Sequence, residues 1–400
     1  MSIDAAVLTK SAMAGASFPS TADLIRALRP RDPIYALYGH KFAGAVRRFQ
    51  QNFSGRTLYA VKANPAPAVL RHIYAAGVRH FDTASVPEIA LIRGLFPDAR
   101  CYFMAPVRLP GALEESYRRY GLRDFAIDCR EELDRLLSIA DARAEVTIYV
   151  RLALPRSGAL FELADKFGAG VEEAAQLMRL AYAQGCRVAL TFHVGSQCRN
   201  PIAFADALNQ AREVLARAQV PLAALDVGGG FPADYPGSDA APLERHLAQI
   251  AQTLPALELA PATPILAEPG RALVADGLSV LTQVTLRHGA KLFHNDGIYG
   301  SFAELKLAQG QIALPARFYR LDGETIRIVG GQESLYTVFG PTCDSYDVFP
   351  AARSAPADLA TGDFVEFGMM GAYSIAMRTA FNGFYPDQFV EISAGGEPPA

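Results

Sequence analysis

The sequence is poor in the residues that build metal centres and disulfide frameworks, with seven His and five Cys in 400 residues. Cys101, Cys129, Cys186, Cys198 and Cys343 form no CxxC pair, and no His cluster accompanies them. A zinc site therefore has no support, and no metal is expected. An odd number of dispersed cysteines fits a reducing compartment rather than a secreted scaffold. Charge of one sign is also lacking. Against 38 Lys and Arg stand 41 Asp and Glu, for a formal charge of −3, without the basic footprint of a nucleic-acid partner. No apolar run approaches the length of a membrane span. Residues 1–30 lack a basic stretch leading into a long apolar core, so no signal peptide is read and a cytoplasmic location is expected. The Gly/Pro/Ala-rich tail over 394–400 is expected to fray.

What is present is an alternation. Apolar runs at 57–61, 79–82, 100–104, 124–127, 146–152, 188–194, 222–227 and 264–267 read as strands. Between them, 66–76, 131–140, 171–184, 203–219 and 242–254 carry apolar residues at helical spacing. Asp128 stands before Glu131 with capping-box spacing, and Pro242 suits a first helical turn. Repeated strand–helix units demand a parallel sheet covered by helices. Eight of them close into a (β/α)8 barrel. Beyond residue 280 the pattern changes to short strands separated by turns, with Asp322-Gly323 as a hairpin signal. The expected division is an N-terminal segment at 1–36 packing with the sheet unit, a barrel at 37–275 and an all-β domain at 276–400. Residues 33–38 fit either the sheet unit or the approach to the barrel.

The C-terminal ends of barrel strands form the active-site mouth. There the sequence places Lys62, Asp82, Arg151, His193 with Gly195-Ser196, the run Asp226-Val227-Gly228-Gly229-Gly230, and Glu268-Pro269-Gly270-Arg271. Each has an ordinary reading: a solvated lysine, loop-capping acids, a core histidine, a tight glycine turn. Together they suit one cofactor. A lysine made neutral by desolvation can form a Schiff base. A buried acid such as Glu268 can pair with a pyridinium nitrogen. His193 can stack on a ring, and consecutive glycines offer backbone N–H groups to a phosphate. Neither GxGxxG nor GxxxxGK[ST] is present, so dinucleotide and P-loop readings are weak.

In order along the chain stand Tyr59-Ala-Val-Lys-Ala-Asn64, Phe81-Asp-Thr-Ala-Ser85 with Glu88, Lys166-Phe-Gly168, Phe192-His-Val-Gly-Ser196, Asp226-Val-Gly-Gly-Gly-Phe-Pro232 and Glu268-Pro-Gly-Arg271. Asp296-Gly-Ile-Tyr-Gly-Ser-Phe302, Gly340-Pro-Thr-Cys-Asp344, Gly371-Ala-Tyr373 and Phe381-Asn-Gly-Phe384 follow. This ordered set resembles the pyridoxal 5′-phosphate (PLP) dependent, fold-type III basic amino acid decarboxylases, ornithine decarboxylases above all. The resemblance implies an alanine-racemase-like barrel plus β domain, and decarboxylation of L-ornithine to putrescine or of a close analogue such as lysine or a conjugated diamino acid. It implies that Lys62 bonds the cofactor aldehyde, Glu268 meets the pyridine nitrogen and His193 stacks on the ring. Ser196, Gly228, Gly229, Gly230, Gly270, Arg271 and Tyr373 would hold the phosphate, and Asp82, Arg151 and Glu88 would support lysine and cofactor. It also implies a head-to-tail homodimer. A second subunit would then supply Cys343 as the acid that reprotonates Cα and Asp344 as the anchor of the distal ammonium, with Lys166 among the dimer contacts. Tyr299 is expected beside the substrate.

One stretch departs from the family pattern. Where ornithine decarboxylases carry a second amine-binding acid, this chain has Ala308. Either Glu304 replaces it from one turn back, or the substrate differs in length or in its distal group. Ala105 also stands where relatives carry a polar residue. A non-catalytic regulator on the same fold is the alternative from a different class. Retention of Lys62, Glu268, Cys343 and Tyr373 opposes it. An amino-acid racemase would need two opposed bases, which Cys343-Asp344 does not suggest.

Overall fold

The computed structural model describes residues 16–399; residues 1–15 of the expected N-terminal segment lie outside the described residues. Two short strands, β1 (Ser17–Phe18) and β2 (Ile34–Leu37), precede a closed barrel. Its strands are β3 (Arg56–Ala60), β4 (His80–Thr83), β5 (Arg100–Phe103), β6 (Asp124–Ile127), β7 (Thr147–Arg151), β8 (Arg187–Thr191), β9 (Leu222–Asp226) and β10 (Ile265–Ala267). All pairings are parallel, and β10 closes on β3 with Leu266 opposite Arg56 and Ala267 opposite Thr57.

The strands read as continuous apolar runs because both their faces are covered. Inside the barrel, Leu58, Tyr102, Met104, Ala126, Tyr149, Ala189, Ala224 and Leu266 form a separate cluster, large beside small. Outside, each helix lays one stripe on the sheet. Helix Pro67–Ala75 starts on a proline and buries Val69, Leu70 and Ile73; its positions along one face are those of an amphipathic helix.

Several local expectations are corrected. Helix Arg130–Ile139 is capped at Cys129 without a side-chain bond. Asp128 instead accepts the Gly168 N–H at 2.9 Å, tying two mouth loops together. A side-chain cap is formed elsewhere: Ser85 accepts the Glu88 N–H, and the Glu88 carboxylate reaches back past the cap to accept the Ala84 N–H at 2.7 Å. Pro242 caps its helix rather than entering it. Strand β8 stops at Thr191, short of the expected Val194, as the chain turns toward Gly195 at φ 92°.

The remaining strands are β11 (Leu278–His288), β12 (Lys291–His294), β13 (Ala316–Asp322), β14 (Thr325–Val329), β15 (Glu333–Phe339), β16 (Arg353–Pro356), β17 (Phe364–Phe367) and β18 (Gln388–Ile392). They form a mostly antiparallel sheet with β1 and β2. Strand β2 pairs with β11 and β18, so residues 34–37 belong to this sheet. The Asp322-Gly323 hairpin joins β13 to β14, with Gly323 at φ 60°. In the sheet core the fully buried Glu366 carboxylate accepts from Thr21, Tyr38, Ser279 and Tyr319 hydroxyls. The tail does not fray as expected over its described residues. Glu397 pairs with Lys41 at 2.6 Å, its carbonyl accepts from Arg317, and Pro398 is buried. Among the described residues no helix is long and apolar enough to cross a membrane.

Candidate active site

A cavity of about 370 Å³ opens at the C-terminal mouth of the barrel. Lys62, Asp82, Ala105, Arg151, Lys166, His193, Ser196, Glu268, Arg271, Glu304, Leu307 and Tyr373 all line it. Lys62 lies in the 3-10 turn Val61–Ala63 that follows β3, rather than at the strand's last position. The turn is fixed by Asn64, fully buried, which donates to the Gly371 carbonyl at 2.8 Å and accepts from Ala66. Through that bond and Tyr373 N–H to Ala63 O at 2.8 Å, the sheet unit positions the lysine.

Lys62 Nζ stands 3.2 Å from Asp82 Oδ2. Strand register explains the pairing, since Asp82 lies opposite Ala60 on the neighbouring strand. The Asp82 carboxylate, helped by Glu268, pushes the Lys62 pKa above its ordinary value against the opposing effect of burial. The expected lowering by desolvation is therefore reversed. His193 goes the other way: burial, then Lys62 and Arg151, hold it well below the usual histidine range. The ring is neutral, and its Nδ1 accepts from Gly195 N–H at 3.1 Å, which leaves the proton on Nε2.

Glu268 and Asp226 are 7% and 0% exposed. Burial first, and then the neighbouring Asp226 and Asp82, raise the Glu268 pKa well above the carboxylate range. Burial pushes Asp226 up to about 6. The Glu268 and Asp226 carboxyls hydrogen-bond to each other through the proton that burial keeps on the pair. Between them the glycine turn is tightly enclosed. A Cβ on Gly228 would fall 1.8 Å from Phe192 O, and one on Gly229 would fall 2.8 Å from both Glu268 O and His193 Nε2.

Arg271 follows Gly270 at the start of the short helix Arg271–Val274. Its guanidinium lies between the Phe161, Tyr235 and Tyr373 rings, 5.0 Å from the Tyr373 centroid. It donates to Tyr235 OH at 2.9 Å and to both oxygens of Glu304. Tyr235 and Asp226 received no role from sequence reasoning; Asp226 was visible only as the start of the glycine run, and Tyr235 carried no signal. Glu88 stays off the cavity wall as a cap, with burial raising its pKa. Lys166 and Arg151 flank the Phe167 ring.

Gly228, Gly229, Gly230 and Gly270 do not line the cavity, and Cys343, Tyr299 and Asp344 lie apart from it. Cys343 is exposed, with Sγ 3.4 Å from Asn382 Oδ1. Tyr299 OH donates to Asp344 at 2.5 Å. That bond, followed by the Tyr346 N–H, lowers the Asp344 pKa and keeps it ionised. Ala308 is 1% exposed and faces the core, while Leu307 lines the cavity.

A lysine at the mouth of a parallel barrel, with a buried carboxyl, a neutral imidazole and a fixed guanidinium, defines a site for a phosphate-bearing carbonyl cofactor. Residues 40–275 match the pyridoxal-binding domain of the pyridoxal-dependent decarboxylases, and 238–371 match their C-terminal sheet domain. A lysine/ornithine decarboxylase of Selenomonas ruminantium is 32% identical over 338 residues, covering 82% of this chain and 81% of that protein. The lysine/ornithine decarboxylase of Vibrio vulnificus, solved with putrescine, superposes with a TM-score of 0.78 at 28% identity, covering 93% of this chain and 98% of that one. The arginine decarboxylase of Paramecium bursaria Chlorella virus shares the fold, with a TM-score of 0.81 at 24% identity over 93% of this chain and 99% of that one.

The chain belongs to the pyridoxal-dependent decarboxylases. It is a carboxy-lyase of amino acids, and its cofactor is PLP. The residues present fit that cofactor: the buried Glu268 carboxyl at the cavity wall suits a ring nitrogen, and the partnerless, buried Arg271 Nε suits an anionic group.

Proposed function

We propose that the chain decarboxylates a basic L-amino acid, L-ornithine first, with lysine or a conjugated diamino acid as the nearest alternatives. We further propose that it works as a homodimer in the cytoplasm. In this reading residues 38–275 bind the cofactor, and 276–399 with 16–37 form the sheet unit, Leu37 pairing in the sheet rather than opening the barrel. The single observation that carries it is the separation of two half-sites. Lys62, Asp82, His193 and Glu268 surround the cavity, while Cys343 and Asp344 stand on surface loops away from it. Exposed Tyr346 and Phe381 pack on the Tyr299 ring beside that second cluster, as an interface core would require. Five free cysteines support the reducing compartment.

Lys62 would hold the cofactor aldehyde, Glu268 its ring nitrogen and His193 its ring face. Ser196, Gly228, Gly229, Gly230, Gly270, Arg271 and Tyr373 would hold its phosphate. When bound, PLP supplies the electron sink that accepts the pair left at Cα as CO2 departs. The protein does the rest. Asp82, 3.2 Å from the Lys62 amine, would orient Lys62 and hold the proton that amine takes up once the substrate amine has displaced it, with Arg151 on the same cavity wall. The neutral His193 adds no competing charge. Cys343 of the second copy delivers a proton to Cα. Its Asp344, kept ionised by Tyr299, holds the distal ammonium by a charge-assisted hydrogen bond.

The test is subunit mixing with mass-spectrometric detection of diamines from a panel of ornithine, lysine, arginine, diaminobutyrate and diaminopimelate. Lys62→Ala and Cys343→Ala should each lose most activity. Random mixing should restore about a quarter of the wild-type rate, because half the dimers then hold one intact site. No recovery on mixing would place both groups in one subunit's site and overturn the shared arrangement. No diamine from any substrate would overturn the substrate class.

A further inference from the structure

Glu304 is the one carboxylate that the cavity presents on the short helix Ala303–Leu307, and its distance from Ala308 in sequence suggested an amine anchor. Its bonds say otherwise. Oε2 accepts from Arg271 Nη1 at 2.9 Å, and Oε1 accepts from Arg271 Nη2. The Arg271 side chain is 2% exposed and that of Glu304 12%, so this is a desolvated fork-to-fork pair rather than a surface contact. A planar guanidinium has two such forks. Glu304 takes the end fork, Nη1 with Nη2. The side fork consists of Nε and the second hydrogen of Nη2. Nε is buried and has no partner, and Nη2 lies 3.4 Å from Ser196 Oγ.

We infer that Glu304 is a positioning residue for the cofactor phosphate: by holding one fork of Arg271 it leaves the other, beside Ser196, as a fixed two-pronged anion donor. Glu304 is then unavailable to the substrate ammonium. The wall next to it belongs to Leu307, and the distal amine has one carboxylate, Asp344, rather than two. This deepens the proposed function and rests on it.

The experiment titrates full-length wild type and Glu304→Gln, after removal of bound cofactor, with PLP and with pyridoxal, which lacks the phosphate. Binding is read by equilibrium dialysis. Glu304→Gln should bind PLP about tenfold more weakly and pyridoxal equally well. At saturating PLP the ratio of KM values for diaminobutyrate, ornithine and lysine should not change. A Leu307→Asp variant should change that ratio and leave PLP affinity alone. Unchanged or tighter PLP binding in Glu304→Gln overturns the inference. So does an equal loss for PLP and pyridoxal, which marks a merely structural role. A raised KM for diamino acids with PLP affinity intact makes Glu304 an amine anchor and overturns it as well. Should wild type take up no PLP, the functional reading itself falls. Inorganic phosphate then judges the inference: wild type should bind it and Glu304→Gln more weakly, and equal binding refutes the role.

Discussion

Replacing Asp82 by Asn should make Lys62 a faster trap for PLP at neutral pH, although it removes a residue of the site. Lys62 Nζ and Asp82 Oδ2 stand 3.2 Å apart. A pair this close is worth on the order of 4 kcal/mol near a protein surface. Because 41% of the Lys62 side chain is exposed, solvent screening reduces that to about 2 kcal/mol. Asp82 is the largest cause of the upward shift at Lys62, ahead of burial, which opposes it, and of Glu268, which adds to it. Only the neutral amine attacks an aldehyde. Losing about 2 kcal/mol of preference for the charged form raises the neutral fraction about 30-fold at a given pH below the pKa. The same sign governs stability. A lysine whose pKa rises on folding stabilises the fold below its unfolded value of 10.5 and loses that contribution as pH climbs through the folded value. Asp82→Asn should therefore be less stable at neutral pH, and the difference should shrink at strongly alkaline pH. The assay is the rate of visible-absorbance growth when cofactor-stripped protein meets PLP, measured from neutral to alkaline pH. The midpoint should move to lower pH in Asp82→Asn, and in the same direction by less in Glu268→Gln. A midpoint that stays or moves upward refutes the electrostatic account.

Two further outcomes follow from the packing around the lysine. Asn64→Ala leaves the Gly371 carbonyl and the Ala66 N–H without their side-chain partner and should cost about 2–3 kcal/mol; urea unfolding checks it, and a cost under about 0.5 kcal/mol refutes the role of Asn64 as the tie between barrel and sheet. Gly229→Ala puts a methyl 2.8 Å from both Glu268 O and His193 Nε2. Overpacking of this kind costs about 1–3 kcal/mol, and unchanged PLP affinity on titration would show that the turn yields without disturbing His193.

The barrel was legible because its strands are covered on both faces, which writes eight apolar runs into the chain at positions within a few residues of the observed ones. Placement of reactive residues at strand ends followed without further knowledge. Strands that rely on neighbours rather than on their own pattern were not legible. β1 is two residues long, and β16, Arg-Ser-Ala-Pro, has neither alternation nor β-branched residues. They exist because β18 and β15 offer them a ladder. The docking of the tail was hidden for a similar reason, since Lys41 and Arg317 lie far from Glu397 in sequence.

The site shows the same limit in electrostatic form. Composition at a strand end leads to the expectation of a desolvated Lys62, but not of a carboxylate opposite on the next strand, and the carboxylate decides the sign. Glu304 is a second instance: its partner lies 33 positions earlier, so spacing within its own helix points toward the substrate while the fold points it at Arg271. The distal half-site is better determined than its surface position suggests. The buried Asp347 carboxylate accepts from Ile298 N–H at 2.8 Å and from Thr342 N–H and hydroxyl at 3.0 and 2.7 Å. It thereby joins the loop of Tyr299 to the loop of Cys343 and Asp344. Under the proposed roles, Asp344 as amine anchor and Cys343 as proton donor would be held as one unit, and selection among diamino acids of different length would fall to the cavity wall at Leu307.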